Sequence, residues 1–173
     1  MGISRLGIVG SGIMGSGIAE VAAKAGIDVV LRSRQQATAD AMVASLERSL
    51  AKQVERGKLD EADAKEIGAR VSASDDLHAL QGCDLVIESV VEDLPVKKEL
   101  FTRLDDIMKP EGILATNTST LPVVELAVVT DRPSQVVGIH FFNPAPMMSL
   151  VEVIRPLTAS DETVEAAKGF ATA

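Results

Sequence analysis

Two histidines occur among the 173 residues, and one of them stands where it could move a proton. His140 ends the apolar run Val136-Val137-Gly138-Ile139 and opens the segment His140-Phe141-Phe142-Asn143-Pro144. The run predicts a buried strand, and strand ends are where an open α/β sheet binds its ligands. Glu152 follows inside a second apolar run, Leu150-Val151-Glu152-Val153-Ile154. A carboxylate in such a run needs a partner, and the nearest candidate in sequence is the imidazole of His140. A His–Glu pair makes a general base, because the carboxylate fixes the tautomer and stabilises the imidazolium. The competing reading is a capped histidine on a loop and a glutamate on an edge strand facing water.

Positioning such a pair takes a scaffold, and the other end of the chain indicates which. Arg5-Leu6-Gly7-Ile8-Val9 reads as a short strand running into Gly10-Ser11-Gly12-Ile13-Met14-Gly15, then into an Ala-rich helix that Gly26 stops. Ile27-Asp28-Val29-Val30-Leu31 is the next strand. Glycines in this spacing, between a strand and a helix, fit a dinucleotide site. Gly10 allows the tight turn, Gly12 lets backbone approach a pyrophosphate on the helix N-terminus, and Gly15 lets helix and strand pack. Ile13 and Met14 complete that loop. An NAD site wants Asp or Glu at the tip of the second strand. Here Arg32-Ser33-Arg34 stand there, and guanidinium groups suit a 2′-phosphate. NADP is therefore the favoured cofactor, with NAD the alternative if the arginines are merely solvated.

The middle of the chain supplies the remaining elements. Met42, Leu46, Leu50 and Val54 form an amphipathic stripe that Gly57 breaks, and Leu59 to Ala69 reads as a second helix opened by Asp60. This helical hairpin, about 36–69, exceeds what a plain crossover needs and serves either a ligand or packing. Asp84–Val90 is a strand, and Pro95 opens a helix with Val96, Leu100, Leu104, Ile107 and Met108 on one face. Glu92 and Lys97 bracket that turn, as site residues or as a solvated ion pair. Ile113–Asn117 is another strand, followed by Thr118-Ser119-Thr120. Ser119 could bind the reacting oxygen or cap the short helix after Pro122. His78 reads as a surface residue near Asp75 and Asp76, and Met147 and Met148 as gap-filling core.

Taken together, Gly10–Gly15, Val91-Glu92-Asp93-Leu94 with Lys97, Asn117-Thr118-Ser119-Thr120, and His140–Pro144 with Glu152 make the chain resemble the nucleotide-binding domain of the L-3-hydroxyacyl-CoA dehydrogenase family. The resemblance implies a Rossmann-type, doubly wound, mostly parallel sheet over residues 1–173. It implies hydride transfer between a nicotinamide cofactor and a short-chain 3-hydroxyacyl-CoA/3-ketoacyl-CoA pair, with 3-hydroxybutyryl-CoA the expected substrate. By the same resemblance His140 is the base, Glu152 its partner, and Ser119 and Asn143 hold the reacting oxygen and border the cofactor. Glu92 and Lys97 line the nicotinamide and ribose side, and Ser49, Arg56 and Ser119 touch CoA. Two departures stand out. Ser33 replaces the family's Asp, and the chain ends at Ala173, before the all-helical domain of about another hundred residues. That domain supplies the family's homodimer interface and part of its substrate pocket, so nucleotide binding is expected more firmly than turnover.

Composition narrows the alternatives. The chain is long enough for one domain with a core, and a net charge of −8 argues against nucleic acid. No apolar run approaches a membrane span and no signal peptide precedes the first strand. A single cysteine, Cys83, fits a reducing cytoplasm, and no Cys/His cluster has metal-ligand spacing. Three rivals remain. An L-gulonate-type sugar-acid dehydrogenase is disfavoured by the apolar Phe141-Phe142. A nucleotide-binding module without chemistry has no use for His140, Glu152, Ser119 and Asn143 together. A segment of a multifunctional β-oxidation protein is disfavoured by the start at Met1, directly before the first strand.

Overall fold

A computed structural model describes residues 2–173. In chain order the elements are β1 (Arg5–Val9), α1 (Ile13–Lys24), β2 (Asp28–Arg32), α2 (Gln36–Glu55), α3 (Glu61–Ala69), β3 (Val71–Ser74), β4 (Leu85–Glu88), α4 (Leu94–Ile107), β5 (Ile113–Thr116), α5 (Val123–Ala127), β6 (Val136–Phe141), β7 (Val151–Ile154) and α6 (Asp161–Ala171). Seven strands form one sheet in the order β3-β2-β1-β4-β5-β6-β7. All neighbours are parallel except β7, which closes the edge antiparallel to β6. The order reverses direction between β1 and β4, the switch point where a doubly wound sheet opens a crevice. The expected Rossmann-type architecture is what the chain adopts, and the helical hairpin α2–α3 falls inside the expected insertion.

Strand side chains alternate between faces, and the two faces carry separate apolar layers. Leu6, Ile8, Leu31, Leu85, Ile87, Val137, Ile139 and Phe141 pack under α1, α2, α3 and α6 through Ile18, Met42, Leu46, Leu50, Ile67 and Ala167. Val9, Val86, Leu114 and Val136 pack on the opposite face against Phe101, Leu104 and Met108 of the α4 region and Leu126 of α5. Alternation puts Glu88 in register with Val86, and His140 with Val136 and Gly138, so both polar side chains turn toward the α4–α5 side.

Four packing expectations are corrected. The buried face of α4 is Lys97, Phe101 and Leu104 rather than a stripe through Val96, which is exposed. Choosing the apolar residues alone hid that a lysine occupies a core position. Met147 and Met148 are exposed rather than core, because they lie beyond the end of β6, where no layer covers the sheet. Phe141 is buried in the α6-side layer against Phe170, so of the two phenylalanines only Phe142 reaches the histidine. Glu152, which its apolar neighbours made a candidate for burial, is 53 % exposed because β7 is the sheet edge, the position that the competing reading gave it.

Candidate active site

The antiparallel register of β6 and β7 makes His140 and Glu152 direct cross-strand partners. Side chains opposite each other on one face lie within contact distance, and Glu152 Oε2 sits 2.9 Å from His140 Nδ1. A carboxylate only accepts, so Nδ1 carries the proton and Nε2 is left as the acceptor. The Ser119 hydroxyl meets Nε2 at 3.1 Å and donates to it. Phe142 tilts against the imidazole with ring centroids 4.7 Å apart, leaving the histidine side chain 15 % exposed. The result is a run, Ser119–His140–Glu152, with a defined tautomer and its accepting nitrogen facing a hydroxyl-binding position.

Ser119 does not cap α5, whose N-cap position is Pro122 and which has no side-chain cap. Thr118 organises that loop instead: its hydroxyl accepts from the Thr120 and Leu121 amides and donates to Glu92 Oε1. Glu92 also accepts from the Ser119 amide at 3.2 Å and from Lys97 Nζ at 3.2 Å. Burial opposes charge on Glu92, yet the Thr118 hydrogen bond, Lys97 and the Ser119 amide outweigh it and hold the carboxyl below its usual range.

Lys97 is not a solvated partner. It is 1 % exposed and lies 2.6 Å from Glu88 Oε1, and Glu88 itself is 0 % exposed. Glu88 also accepts from the Val90 amide at 2.6 Å and the Thr116 hydroxyl at 2.8 Å. Sequence reading passed over Glu88 because it sits in a strand of apolar residues. The signal that could have found it was there: a lone acid at the carboxyl end of a buried parallel strand, nine residues before a lysine on the next helix. Asn117 was missed as well. Its Oδ1 accepts from the Phe141 amide at 2.8 Å and its amide donates to Ser89, tying the ends of β4, β5 and β6 together.

The glycine loop lies against this constellation. Gly10 has φ +137°, a conformation L side chains rarely adopt, and a Cβ there would meet the Ser89 carbonyl at 2.2 Å. At Gly15 a Cβ would strike the Gly10 carbonyl at 2.5 Å, whereas around Gly12 the space is open. Gly12 precedes α1 without any side-chain cap, so the first amides of that helix keep their donors for an anion. Ile13 is exposed beside it and Met14 half-buried. These features fit a dinucleotide pyrophosphate.

At the tip of β2 the three expected residues part company. Arg32 is half-buried with Nε donating to the Asp75 carbonyl at 3.3 Å. Ser33 is buried and its amide donates to the Ser74 carbonyl at 3.1 Å. Arg34 alone stands exposed. Burial, then the neighbouring positive charge of Arg103, lowers the Arg32 pKa from its ordinary value. Ser49 on α2 donates to Glu20 at 3.0 Å, in a cluster with Lys24 and Gln53, and Arg56 is exposed just past the end of α2. Neither is near enough to His140 to share a hydrogen bond with it. Asn143 is exposed three residues beyond His140, and its side chain has no hydrogen bond to His140 or Ser119 among the described residues. His78 is at the surface beside Asp76, as expected. Among the described residues no group of three or more His, Cys, Asp or Glu could hold a metal, and no helix is long and apolar enough to cross a membrane.

Comparison with known proteins adds the lineage. Residues 5–173 match the family model described as 3-hydroxyacyl-CoA dehydrogenase, NAD binding domain. The chain is 47 % identical over 159 residues to a protein of Deinococcus radiodurans named as a probable 3-hydroxybutyryl-CoA dehydrogenase, covering 92 % of this chain and 57 % of that one. It is 46 % identical over 161 residues to 3-hydroxybutyryl-CoA dehydrogenase of Clostridioides difficile, covering 93 % and 57 %. The crystal structure of 3-hydroxybutyryl-CoA dehydrogenase from Escherichia coli K12 superposes with a TM-score of 0.96 at 38 % identity, covering 99 % of this chain and 36 % of that one. The chain thus spans less than two thirds of the length of these relatives.

Proposed function

The chain belongs to the 3-hydroxyacyl-CoA dehydrogenase family, and from that premise we propose that it is the nucleotide-binding, base-bearing part of an enzyme acting on 3-hydroxyacyl-CoA and 3-ketoacyl-CoA, with 3-hydroxybutyryl-CoA as the substrate. The observation that carries this reading is the run Ser119–His140–Glu152 at the strand ends, joined to the glycine loop through Phe141, Asn117 and Ser89. Residues 1–173 would work as one dinucleotide-binding domain in a homodimeric whole.

The residues divide the work as follows. A bound nicotinamide supplies hydride exchange at C3 of the acyl chain. His140 Nε2 takes the 3-hydroxyl proton during oxidation and returns it during reduction. Glu152 keeps Nδ1 protonated and stabilises the imidazolium that results. Ser119 donates to the oxygen as charge develops on it, and Asn143 would join it there in the substrate complex. The amides after Gly12 hold the pyrophosphate, Ile13 and Met14 flank it, and Glu92 borders the nicotinamide. Ser49 and Arg56 would meet CoA.

Phe142 against the imidazole favours an acyl chain over a polyol beside the base, so L-gulonate is the weaker substrate. With acetoacetyl-CoA the cofactor absorbance falls, and with L-gulonate and oxidised cofactor it stays flat; equal rates for the two would overturn the substrate reading. For the cofactor, Arg34 is the exposed cation at the tip of β2, and a charge-assisted bond to a 2′-phosphate is worth about 1.5–3 kcal/mol. Calorimetry is expected to give tighter binding of NADPH than NADH by roughly ten- to hundredfold, reversed by Ser33→Asp with Arg34→Gln. Equal dissociation constants, unchanged by the substitutions, would leave NAD and NADP undiscriminated and refute the preference.

A further inference from the structure

Three ionised side chains are stacked behind the Ser119 loop. Glu88 is surrounded only by donors: Lys97 Nζ, the Val90 amide and the Thr116 hydroxyl. A carboxylate, which only accepts, satisfies all three of them. Lys97 contacts it at 2.6 Å and the second acid, Glu92, at the longer 3.2 Å. Only Glu92 reaches the crevice, with 42 % of its side chain exposed. The set carries one positive and two negative charges. Without Glu88, the ammonium of Lys97 would belong wholly to Glu92 and the face toward the crevice would be neutral.

We propose that Glu88 is a positioning residue that draws Lys97 inward, so that Glu92 presents an only partly compensated negative charge to the nicotinamide and favours its cationic, oxidised form. This rests on the reading that the nicotinamide lies beside Glu92. A general structural role for Glu88 is separable from this one. Structure alone would alter folding or the affinity for both cofactor forms together. Charge control alters their ratio, because the oxidised ring is a cation and the reduced ring is neutral.

The test titrates the oxidised and reduced forms of one cofactor, by calorimetry, into the chain and its variants. In Glu88→Gln the net charge of the set goes from −1 to 0, and affinity for the oxidised form relative to the reduced is expected to fall roughly three- to tenfold, the effect of one charge across a partly solvated gap. Glu92→Gln, also at zero, should fall alike. The double variant Glu88→Gln with Lys97→Met returns the set to −1 and should recover the parent ratio. If Glu88→Gln is too unstable to titrate, Glu88→Asp keeps the charge of the set but withdraws the carboxylate from Lys97, and its ratio should fall by a smaller factor. An unchanged ratio in Glu88→Gln, or in Glu88→Asp, with Glu92→Gln still lowered, would overturn the role of Glu88 and leave the site reading intact. An unchanged ratio in Glu92→Gln as well would show that the nicotinamide does not lie beside Glu92.

Discussion

Two acid–base pairs sit within one sheet and differ in almost everything except chemistry. His140 and Glu152 face each other across the antiparallel edge, with the carboxylate more than half in water. Lys97 and Glu88 meet beneath α4 with neither group exposed. The edge pair is set by strand register, with Ser119 and Phe142 beside the imidazole, and contributes little to stability, since exposed pairs are worth about 0–1 kcal/mol. The interior pair cannot lose Lys97 without leaving the Glu88 carboxylate buried with neutral donors alone. A residue that must gain and lose a proton is better placed where water and substrate can reach it. A residue that must keep its charge is better placed where nothing can.

The sharpest way to break this comparison is stability. Lys97→Ala strands the Glu88 carboxylate and is expected to cost about 3–5 kcal/mol in urea unfolding. Glu152→Ala should cost less than about 1 kcal/mol. Similar losses from both would erase the distinction between a structural and a functional pair.

That distinction was only half legible in the sequence. Most of the fold was legible because the strands other than β3 are short apolar runs near a glycine or proline, and α1 and α2 stop just before Gly26 and Gly57; β3, Val71-Ser72-Ala73-Ser74, carries no such signal. His140 and Glu152 were legible as a pair because a lone titratable residue in an apolar run asks for a partner. The choice between a buried and an edge-strand Glu152 was not, since an apolar run does not say whether its strand is central or at an edge. For Lys97 the sequence left a site residue and a solvated ion pair open, and its burial was not legible because the acid that receives it, Glu88, lies on another element. At the tip of β2 three residues read as equal candidates, whereas backbone pairing with β3 buries Ser33 and leaves Arg34 outermost.

A second test separates rate from stability. Glu152→Gln keeps a hydrogen-bonding partner for Nδ1 but cannot stabilise the imidazolium. Turnover with acetoacetyl-CoA in the full-length form is expected to fall roughly ten- to hundredfold, with the unfolding midpoint unmoved. A shifted midpoint with an unchanged rate would assign Glu152 to the scaffold.

The smallest effect lies at the amino ends of the strands, far from the site. Asp84 accepts from the Ser4 amide and hydroxyl, the Arg5 amide and Lys109. Burial opposes its charge, but Lys109 and these donors prevail and hold the carboxyl well below the usual range. A folded-state pKa below the unfolded value of about 3.9 contributes stability that is present above that value and is lost as pH falls toward the folded one. Asp84→Asn should therefore be less stable at neutral pH and show a flatter loss of stability below about pH 4. An acid limb identical to the parent's would remove Asp84 from the account.

The most direct test of the central claim is stopped-flow hydride transfer from reduced cofactor to acetoacetyl-CoA in the full-length form, comparing the parent with His140→Gln and measuring cofactor affinity on the same samples. The account predicts that transfer falls by roughly 10²–10⁴-fold while the cofactor dissociation constant changes less than about twofold, because His140 acts on the substrate oxygen and the glycine loop alone holds the pyrophosphate. Transfer at the parent's rate in His140→Gln would contradict it.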